Sequence, residues 1–260
     1  MLKTLLSVTG IYRLYEKWLW YQIKNGKRPD HIAIILDGNR RWAENHSLPT
    51  LLGHREGADK IENLLDWCFD LDVKSVTLYS FSTENFLRSL GEVEEIMKIA
   101  EEKLTKILTD ERIHKNQVQV RVIGRRGLLP KSLQELSRTV EEATKDYDEH
   151  FLNIALAYGG RAEIVDAARK LAKEVEKGRL KPDAIEEEVF EKYLYTSHLP
   201  KQDPDMIIRT SGEERLSGFL LWQSAYSELF FLDIYWPDFR RIDLLRAVRT
   251  FQRRKRRFGH

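Results

Sequence analysis

Apolar, β-rich runs alternate with helix-like segments along most of the chain, and this alternation limits the folds that the chain can adopt. The β-rich runs occupy residues 32–36, 73–81, 118–123, 151–157, 206–208 and 229–235. Apolar residues recur at three- and four-residue spacing in residues 56–71, 93–108, 133–144, 162–175 and 184–194. This α/β pattern predicts a single domain with a mostly parallel central sheet of about six strands flanked by helices. Six strands are too few for an eight-stranded barrel, so we expect an open or partly closed sheet.

The composition indicates a globular protein without a chain-wide affinity for polyanions. Of the 260 residues, 42% are hydrophobic, which is enough for an extended core. Lys and Arg total 43 against 41 Asp and Glu, so the net charge of +2 gives no general attraction to nucleic acid or anionic lipid. The single cysteine, Cys68, cannot form an intrachain disulfide, which favours a reducing, cytoplasmic compartment.

Residues 1–30 are predicted to form an amphipathic helical extension that precedes the main domain, residues 31–260. Charged residues interrupt the first 25 residues too often for a membrane span, and no signal-peptide cleavage site follows them. Trp and Tyr are enriched there beside a cationic flank. This pattern leaves two alternatives: a helix lying on a membrane surface, or a helix packed on its own domain.

A charged motif follows the first β-rich run directly. It reads Asp37-Gly38-Asn39-Arg40-Arg41-Trp42-Ala43. Open α/β sheets bind ligands at the carboxyl ends of their strands. Mg²⁺ prefers one or two carboxylates completed by phosphate oxygens and water, while arginines bind phosphate in bidentate fashion. The motif therefore suggests a metal-bound phosphate, and a surface Asx turn with solvated arginines is the alternative.

Other segments of similar character lie along the chain. Residues 81–88 place a polar patch and an arginine after the second run, with a helix cap as the alternative. Residues 53–57, Gly-His-Arg-Glu-Gly, lie between helical stretches and offer either a ligand-binding histidine or a turn with a solvated one. Residues 158–161, Tyr-Gly-Gly-Arg, indicate a tight turn into a helix.

A second arginine-bearing segment, residues 209–217, follows the fifth run and has the composition of another phosphate site. Glu228 follows in an aromatic-rich stretch, where it is either a buried carboxylate needing a cation or hydrogen bonds, or a surface glutamate. Two arginine-bearing sites, one acid and abundant apolar residues predict a substrate with two phosphate groups and an apolar tail. No glycine-rich nucleotide-binding motif is present, which disfavours a nucleotide.

In this order, the segments resemble the cis-prenyltransferase family, the undecaprenyl and dehydrodolichyl diphosphate synthases. The resemblance runs from residue 31 to residue 260, which it implies to be the catalytic domain. It rests on the motif at residues 37–43, Gly53-His54, residues 81–85, residues 158–161, residues 208–210 with 212–213, and residues 236–239. Arg40, where bacterial members usually carry Gly, resembles the archaeal and eukaryotic members.

The resemblance implies a homodimeric, Mg²⁺-dependent enzyme that adds isopentenyl diphosphate units to an allylic diphosphate, each new double bond being Z. It implies catalytic roles for Asp37, as a metal-linked acid, and Asn85, as an aid to proton removal. Glu228 would complete the metal site across the dimer. The substrate-binding residues that it implies are Gly38, Asn39, Arg40, Arg41, Trp42, His54, Ser82, Thr83, Glu84, Phe86, Arg88, Arg209, Arg215, Leu216, Ser217, Arg257 and Gly259.

The family also implies a long hydrophobic tunnel, for which the helix at residues 93–108 would form one wall. The expected product is a long-chain, undecaprenyl-like precursor of a glycosyl carrier lipid, built on geranylgeranyl or farnesyl diphosphate. The main alternative is a noncatalytic partner subunit of the same fold. Seven Lys or Arg residues lie at 246–257, and on their own they would suggest a helix that binds nucleic acid or an anionic surface. The resemblance implies instead that the last of them bind phosphate in the partner subunit's site.

Overall fold

A sheet with helices on both of its faces organises the chain in the computed structural model, which describes residues 11–254. In that part of the chain, six parallel strands stand in the order β3-β4-β2-β1-β5-β6, which confirms the predicted sheet. The strands are β1 (His31–Ile35), β2 (Ser75–Ser82), β3 (Val118–Ile123), β4 (His150–Tyr158), β5 (Met206–Arg209) and β6 (Glu228–Phe231). The helices are α1 (Ile11–Ile23), α2 (Asn39–Asn45), α3 (Thr50–Asp70), α4 (Leu90–Ile107), α5 (Glu111–Lys115), α6 (Lys131–Ala143), α7 (Gly160–Glu176), α8 (Glu187–Glu191) and α9 (Arg241–Arg253).

The central strands are covered on both faces, as their nearly continuous apolar sequences require. All five residues of β1 are buried. Because side chains alternate along a strand, Ile32 and Ile34 enter the larger core on one face, while Ala33 and Ile35 enter a smaller core on the other. The larger core packs against α1, α3, α4, α6 and α9.

The direction of strand addition changes beside β1, and this point sets the position of the cleft. The chain first adds β2, β3 and β4 on one side of β1 and then crosses to add β5 and β6 on the other. Ligands of open α/β sheets bind outside the carboxyl ends of the strands at such a switch point. Asp37 follows β1 there, and Arg209 ends β5, its Cα paired in register with Ile35.

One predicted turn is wrong. Residues 53–57 lie inside α3, which begins at Thr50, six residues before the predicted start. Gly53 and Gly57 are one helical turn apart and allow α2 to approach closely. A Cβ on Gly53 would lie 2.2 Å from the Asn39 carbonyl oxygen, and one on Gly57 would lie 2.3 Å from Asn39 Oδ1. The glycines therefore serve helix packing, not a turn.

Two predicted elements are shorter in the structure. The helix predicted at residues 184–194 is reduced to α8, with a 3₁₀ turn at Pro182–Ala184 before it and turns after it. The strand predicted at residues 229–235 ends at Phe231. Beyond it, Leu232 and Ile234 accept hydrogen bonds from the backbone of Gly212 and Ser211, so the chain bends over the end of β5.

Helix α1 packs against α9 and contributes to the main core. Leu19 and Ile23 are fully buried between the helix and the domain. Arg241 of α9 pairs with Glu16, with Nη1 and Oε1 2.8 Å apart. Across residues 11–254, no helix combines the length and the apolar character that crossing a membrane requires.

Candidate active site

A cleft of about 1090 Å³ opens at the carboxyl ends of β1, β2, β4 and β5. It brings together most of the predicted site residues. Those that line it are Asp37, Gly38, Asn39, Arg40, Arg41, His54, Ser82, Thr83, Glu84, Asn85, Arg88, Arg209 and Ser217. These residues come from four separate segments of the sequence, so the predicted convergence of strand-end motifs is observed.

The carboxylate of Asp37 lies between two arginines. Arg209 donates from Nη2 to Asp37 Oδ2 at 2.7 Å and from Nε to the same oxygen at 3.2 Å. Arg41, one turn along α2, donates from Nη2 to Oδ1 at 3.3 Å. Arg209 is almost fully buried, whereas Asp37 keeps about a quarter of its side chain exposed. The acid is therefore held in place on one side and accessible to a ligand on the other.

Electrostatics keep this carboxyl group ionised. Burial raises the pKa of Asp37, but hydrogen bonds from Arg209 and Ser211 and the charges of Arg209 and Arg41 outweigh it, so the pKa lies below its ordinary value. Asp37 is thus a carboxylate at neutral pH, the form that can bind a cation.

Thr210 fixes the backbone of Asp37, a role that sequence reasoning did not assign. Its hydroxyl donates to the Asp37 carbonyl oxygen at 2.6 Å and accepts from the Asp37 N–H at 3.1 Å. The next residue, Gly38, has φ of +104°, and a Cβ there would lie 2.7 Å from the Tyr235 ring. The turn into α2 therefore requires glycine.

A group of basic side chains converges on Glu92 at one end of the cleft. The Nε2 atom of His54 and the Nη1 atom of Arg88 each lie 3.0 Å from Glu92 Oε1, and the Nε atom of Arg40 lies 3.8 Å from it. Burial lowers the pKa of His54, and the hydrogen bond to Glu92 raises it. Burial has the larger effect, so the pKa of His54 lies below its ordinary value. Glu92 does not line the cleft, whereas its three partners do.

Ser82 caps a 3₁₀ turn at Thr83–Leu87, the alternative that the sequence left open, and Asn85 is its reciprocal partner inside the turn. The Oδ1 atom of Asn85 accepts from the Ser82 N–H at 2.9 Å, and its own N–H donates to Ser82 Oγ at 3.2 Å. The capping box holds the Asn85 amide at the edge of the cleft. An amide is not a base, so in this geometry Asn85 can orient a polar group by donating a hydrogen bond.

Arg209 also organises the second predicted phosphate site. Its Nη1 donates to Ser217 Oγ at 2.8 Å and to the Arg215 carbonyl oxygen. Arg215 itself is largely exposed, forms an ion pair with Glu213 and lies outside the cleft. Leu216 packs against the smaller core. Only Arg209 and Ser217 of this segment therefore face the cleft.

Two aromatic residues predicted to bind substrate also lie outside the cleft. Trp42 donates from Nε1 to Asp238 at 3.1 Å and stacks on His46. The ring of Phe86 packs edge-on against Phe81, with centroids 4.9 Å apart. Neither ring therefore lines the cleft within this chain.

Glu228 lies far from Asp37 within one chain. It is the first residue of β6 and is paired in register with Met206 of β5. Met206 lies three residues before Arg209, the residue of β5 that contacts Asp37. At about 3.3 Å per residue this is about 10 Å along the sheet. Arg254 pairs with it at 3.2 Å. A metal site shared by these two acids in one chain is therefore not formed, and its formation across a dimer stays a prediction. Arg257 and Gly259 lie outside the described residues.

Two further arginines line the cleft without having been assigned a role. Arg125 pairs with Asp166, with Nε and Oδ2 2.9 Å apart. Arg161 follows β4 in the Tyr-Gly-Gly-Arg segment and is exposed. The position of Arg161 after a strand is the signal that could have identified it, whereas Arg125 follows β3 without a recognisable motif.

An apolar cavity of about 140 Å³ adjoins the cleft on the side of α3 and α4. Ile96, Ile99 and Ala100 of α4 line it, and the long tunnel with this helix as a wall stays a prediction. The residues that line both the cleft and the cavity are Leu36, Asn39, His54, Ser80 and Ile96. A polar, cationic site thus adjoins an apolar space.

This combination defines an all-parallel α/β protein that can hold a phosphorylated head group at the strand ends and an apolar tail between helices and sheet. A family model described as "Putative undecaprenyl diphosphate synthase" matches residues 35–259. The chain therefore belongs to the undecaprenyl diphosphate synthase family, the cis-prenyltransferases.

Individual relatives agree with this assignment. A tritrans,polycis-undecaprenyl-diphosphate synthase (geranylgeranyl-diphosphate specific) of Methanopyrus kandleri is 53% identical over 254 residues, 98% of this chain and 93% of the relative. Its counterpart in Methanocaldococcus jannaschii is 52% identical over 98% of this chain and 91% of its own.

Solved structures show the same fold. Lavandulyl diphosphate synthase from Lavandula x intermedia, in complex with dimethylallyl diphosphate, matches with a TM-score of 0.86 and 37% identity, over 90% of this chain and 99% of that one. A probable undecaprenyl diphosphate synthase from Campylobacter jejuni matches with a TM-score of 0.72 and 31% identity, over 90% of this chain and 100% of that one.

Proposed function

We propose that the protein condenses isopentenyl diphosphate repeatedly onto geranylgeranyl diphosphate and makes a long, undecaprenyl-like Z-polyprenyl diphosphate, the precursor of a glycosyl carrier lipid. The observation that carries the proposal is the Asp37 carboxylate, held by Arg209 and Arg41 in a cleft that adjoins an apolar cavity. The choice of starter is supported by the relatives named as geranylgeranyl-diphosphate specific. Farnesyl diphosphate is the alternative starter.

The charges of the cleft suit the bond changes of this reaction. The allylic C–O bond breaks, its carbon joins the terminal alkene carbon of isopentenyl diphosphate, and a proton leaves that unit as the new double bond forms. Negative charge grows on the departing diphosphate. Arg40 and Arg88 line the cleft near His54, which also borders the apolar cavity, and Arg41 contacts Asp37. Such fixed cations would stabilise that charge more in the transition state than in the ground state.

The second substrate would bind at Arg209 and Ser217, on the β5 side of the same cleft. The second diphosphate would then lie on the Arg209 side of Asp37, and the allylic diphosphate would lie near Arg40 and Arg88, the arginines that gather at Glu92. Asn85 would donate a hydrogen bond near the reacting carbons, from the position that Ser82 fixes.

The donor set of the cleft fits Mg²⁺, which we propose as the cofactor. Within residues 11–254 no group of three or more His, Cys, Asp or Glu residues could enclose a metal ion. A lone carboxylate matches Mg²⁺, which keeps most of its ligands as phosphate oxygens and water. Asp37 would hold the ion, and bound Mg²⁺ would supply positive charge at the diphosphate.

A homodimer completes the proposed site. Glu228 does not reach Asp37 in its own chain, so its contribution to a metal site requires the partner subunit. Arg257 and Gly259 would bind phosphate in the partner's cleft. The noncatalytic-subunit alternative is disfavoured, since Asp37, Asn85 and Arg209 are all present and the first and last are in contact.

The test is incorporation of labelled isopentenyl diphosphate with Mg²⁺ and geranyl, farnesyl or geranylgeranyl diphosphate, followed by chain-length analysis. We expect long Z-polyprenyl diphosphates, made fastest from geranylgeranyl diphosphate and abolished by Asp37→Ala. Asp183→Ala, an exposed acid outside the cleft, is the matched control. A folded dimer that incorporates nothing with any starter would contradict the proposal and favour the noncatalytic subunit.

A further inference from the structure

Helix α1 presents an apolar stripe to solvent on the side turned away from the domain. Leu14, Trp18 and Tyr21 follow one another at four- and three-residue spacing, and their exposed fractions are 68%, 47% and 70%. The opposite side of the helix holds the fully buried Leu19 and Ile23. Packing against the core therefore explains one face of α1 and leaves the aromatic stripe without a role in folding.

Basic side chains border this stripe and contact its rings. Lys24 Nζ lies 4.3 Å from the ring centroid of Tyr21, and Arg249 Cζ of α9 lies 5.6 Å from the ring of Trp18. Lys17 is exposed between them on the same helix. Such pairs place a cationic group at the polar edge of an apolar ring, the arrangement with which Lys and Arg extend from an apolar layer toward water.

The acidic residues nearby form ion pairs with arginines of α9 or of its N-terminal cap. Glu16 pairs with Arg241, and Asp243 lies within 3.7 Å of Arg246 and 3.1 Å of Arg240. Arg246 and Tyr15 extend the stripe: Arg246 Cζ lies 5.1 Å from the centroid of the Tyr15 ring. The Tyr15 ring in turn stacks on the Trp18 ring, with centroids 5.4 Å apart. The outer face of α1 is consequently apolar in its centre and cationic along its border.

We propose that this face binds the surface of an anionic lipid bilayer, with α1 lying in the membrane plane. Trp and Tyr favour the boundary between head groups and acyl chains, and basic residues at the border are attracted to anionic head groups. The uniform positive charge of the border is the feature that favours anionic lipid. The proposal stands on α1 and α9 alone and does not require the enzymatic activity proposed above.

The test is co-sedimentation of the full chain with vesicles of phosphatidylglycerol and phosphatidylcholine in equal parts, compared with vesicles of phosphatidylcholine alone. Wild-type protein is expected to bind the anionic vesicles and to be released by added salt. Leu14→Gln combined with Tyr21→Gln is expected to weaken binding about tenfold, since glutamine keeps the helix but not the apolar contact. Lys17→Gln combined with Lys24→Gln is expected to weaken it on anionic vesicles only.

The matched control replaces two exposed apolar residues elsewhere, Leu128→Gln with Ile185→Gln, and should bind as wild type does. Circular dichroism of the Leu14 and Tyr21 variant verifies that α1 remains folded. Equal binding to both kinds of vesicle, or wild-type binding by that variant, would overturn the proposal. So would wild-type protein that binds neither, which would leave the stripe to an acidic protein partner. Prenyl transfer with soluble substrates, measured without vesicles, tests the proposed enzyme separately.

Discussion

The Nε2 atom of His54 and the Oε1 atom of Glu92 lie 3.0 Å apart, and their hydrogen bond joins α3 to α4 behind the cleft. The same oxygen accepts from Arg88 at 3.0 Å. His54 and Arg88 face the cleft, whereas Glu92 does not, so the carboxylate holds two cleft-lining groups without lining the cleft itself.

Replacing this anchor should weaken binding of the allylic substrate. In Glu92→Ala we expect the KM for geranylgeranyl diphosphate to rise about tenfold, about 1.4 kcal/mol, with a smaller change in kcat. Glu92→Gln retains an acceptor and should lose less. Steady-state kinetics test this, with Glu94→Ala, an exposed acid on the same helix, as the control. An unchanged KM in Glu92→Ala would show that His54 and Arg88 hold their positions alone.

The planar guanidinium group of Arg209 contacts two residues at once. Its nitrogens reach Asp37 Oδ2 at 2.7 Å and Ser217 Oγ at 2.8 Å, contacts that a lysine ammonium cannot reproduce together. We expect Arg209→Lys to lower kcat/KM on the order of 100-fold although the charge is kept. Arg169→Lys, in an exposed ion pair with Asp166, should leave the rate unchanged. Equal rates for both variants would show that charge alone is sufficient.

The glycines of α3 should be required for stability. A Cβ at position 57 would lie 2.3 Å from Asn39 Oδ1 and 3.0 Å from the Trp236 ring. We expect Gly57→Ala to lower the free energy of unfolding by about 1–3 kcal/mol, despite the higher helix propensity of alanine. Gly91→Ala in α4 is the matched control, because nothing lies within 4 Å of its Cβ. Chemical denaturation should show the control unchanged or slightly stabilised.

Two histidines, the fully buried His31 and the half-buried His198, should make stability depend on pH. Burial lowers the pKa of His31 and of His198 from 6.5 to about 4 in each case. Between these values the unfolded chain binds protons that the folded chain does not, so stability is lost as the pH falls from 6.5 toward 4. Each histidine contributes at most about 1.4 kcal/mol per pH unit.

Denaturant titrations between pH 6.5 and pH 4.5 measure this slope. His198→Gln should flatten it, since the glutamine does not titrate and can still donate to Asn153, the residue that His198 contacts at 2.8 Å. Replacement of the exposed His46 by Gln should leave the slope as it is in wild type. The same slope in His198→Gln as in wild type would show that another group titrates.

Filling the apolar cavity should shorten the product. Ala100 lines the cavity on α4. In the proposed enzyme, Ala100→Phe would occupy the path of the growing chain, so we expect shorter polyprenyl diphosphates at a similar rate of first condensation. Chain-length analysis after incorporation of label tests this. Lys98→Phe, an exposed position on the same helix, should leave the chain length unchanged.

Much of the cleft was predictable because parallel strands end at the same edge of a sheet. Asp37 follows a β-branched run and Arg209 ends another, so their proximity follows from topology even without knowing which strands are neighbours. The strand-end rule also found Ser82 and Asn85. It does not bring Glu228 to this edge, because Glu228 precedes the run predicted at residues 229–235 and is the first residue of β6; its expected role was across a dimer.

The parts that were missed depend on contacts between distant segments. Gly53 and Gly57 were interpreted as a turn because glycine usually interrupts a helix, and only the approach of α2 explains them. Glu92 carries no motif beyond its place three residues after Ser89, which caps α4. Its function arises because helix packing brings His54 to it. Such second-layer residues are defined by tertiary structure and not by local pattern.

The residues common to the cleft and the apolar cavity lie at the boundary between a charged space and an apolar one. Leu36 and Ile96 are the apolar side chains at this boundary. In each proposed condensation the allylic diphosphate leaves, and the diphosphate of the newly added unit becomes the head of the chain on the charged side. Because each new unit joins at the diphosphate end, the chain grows from its head. The carbons added first are therefore pushed farthest from the site of condensation.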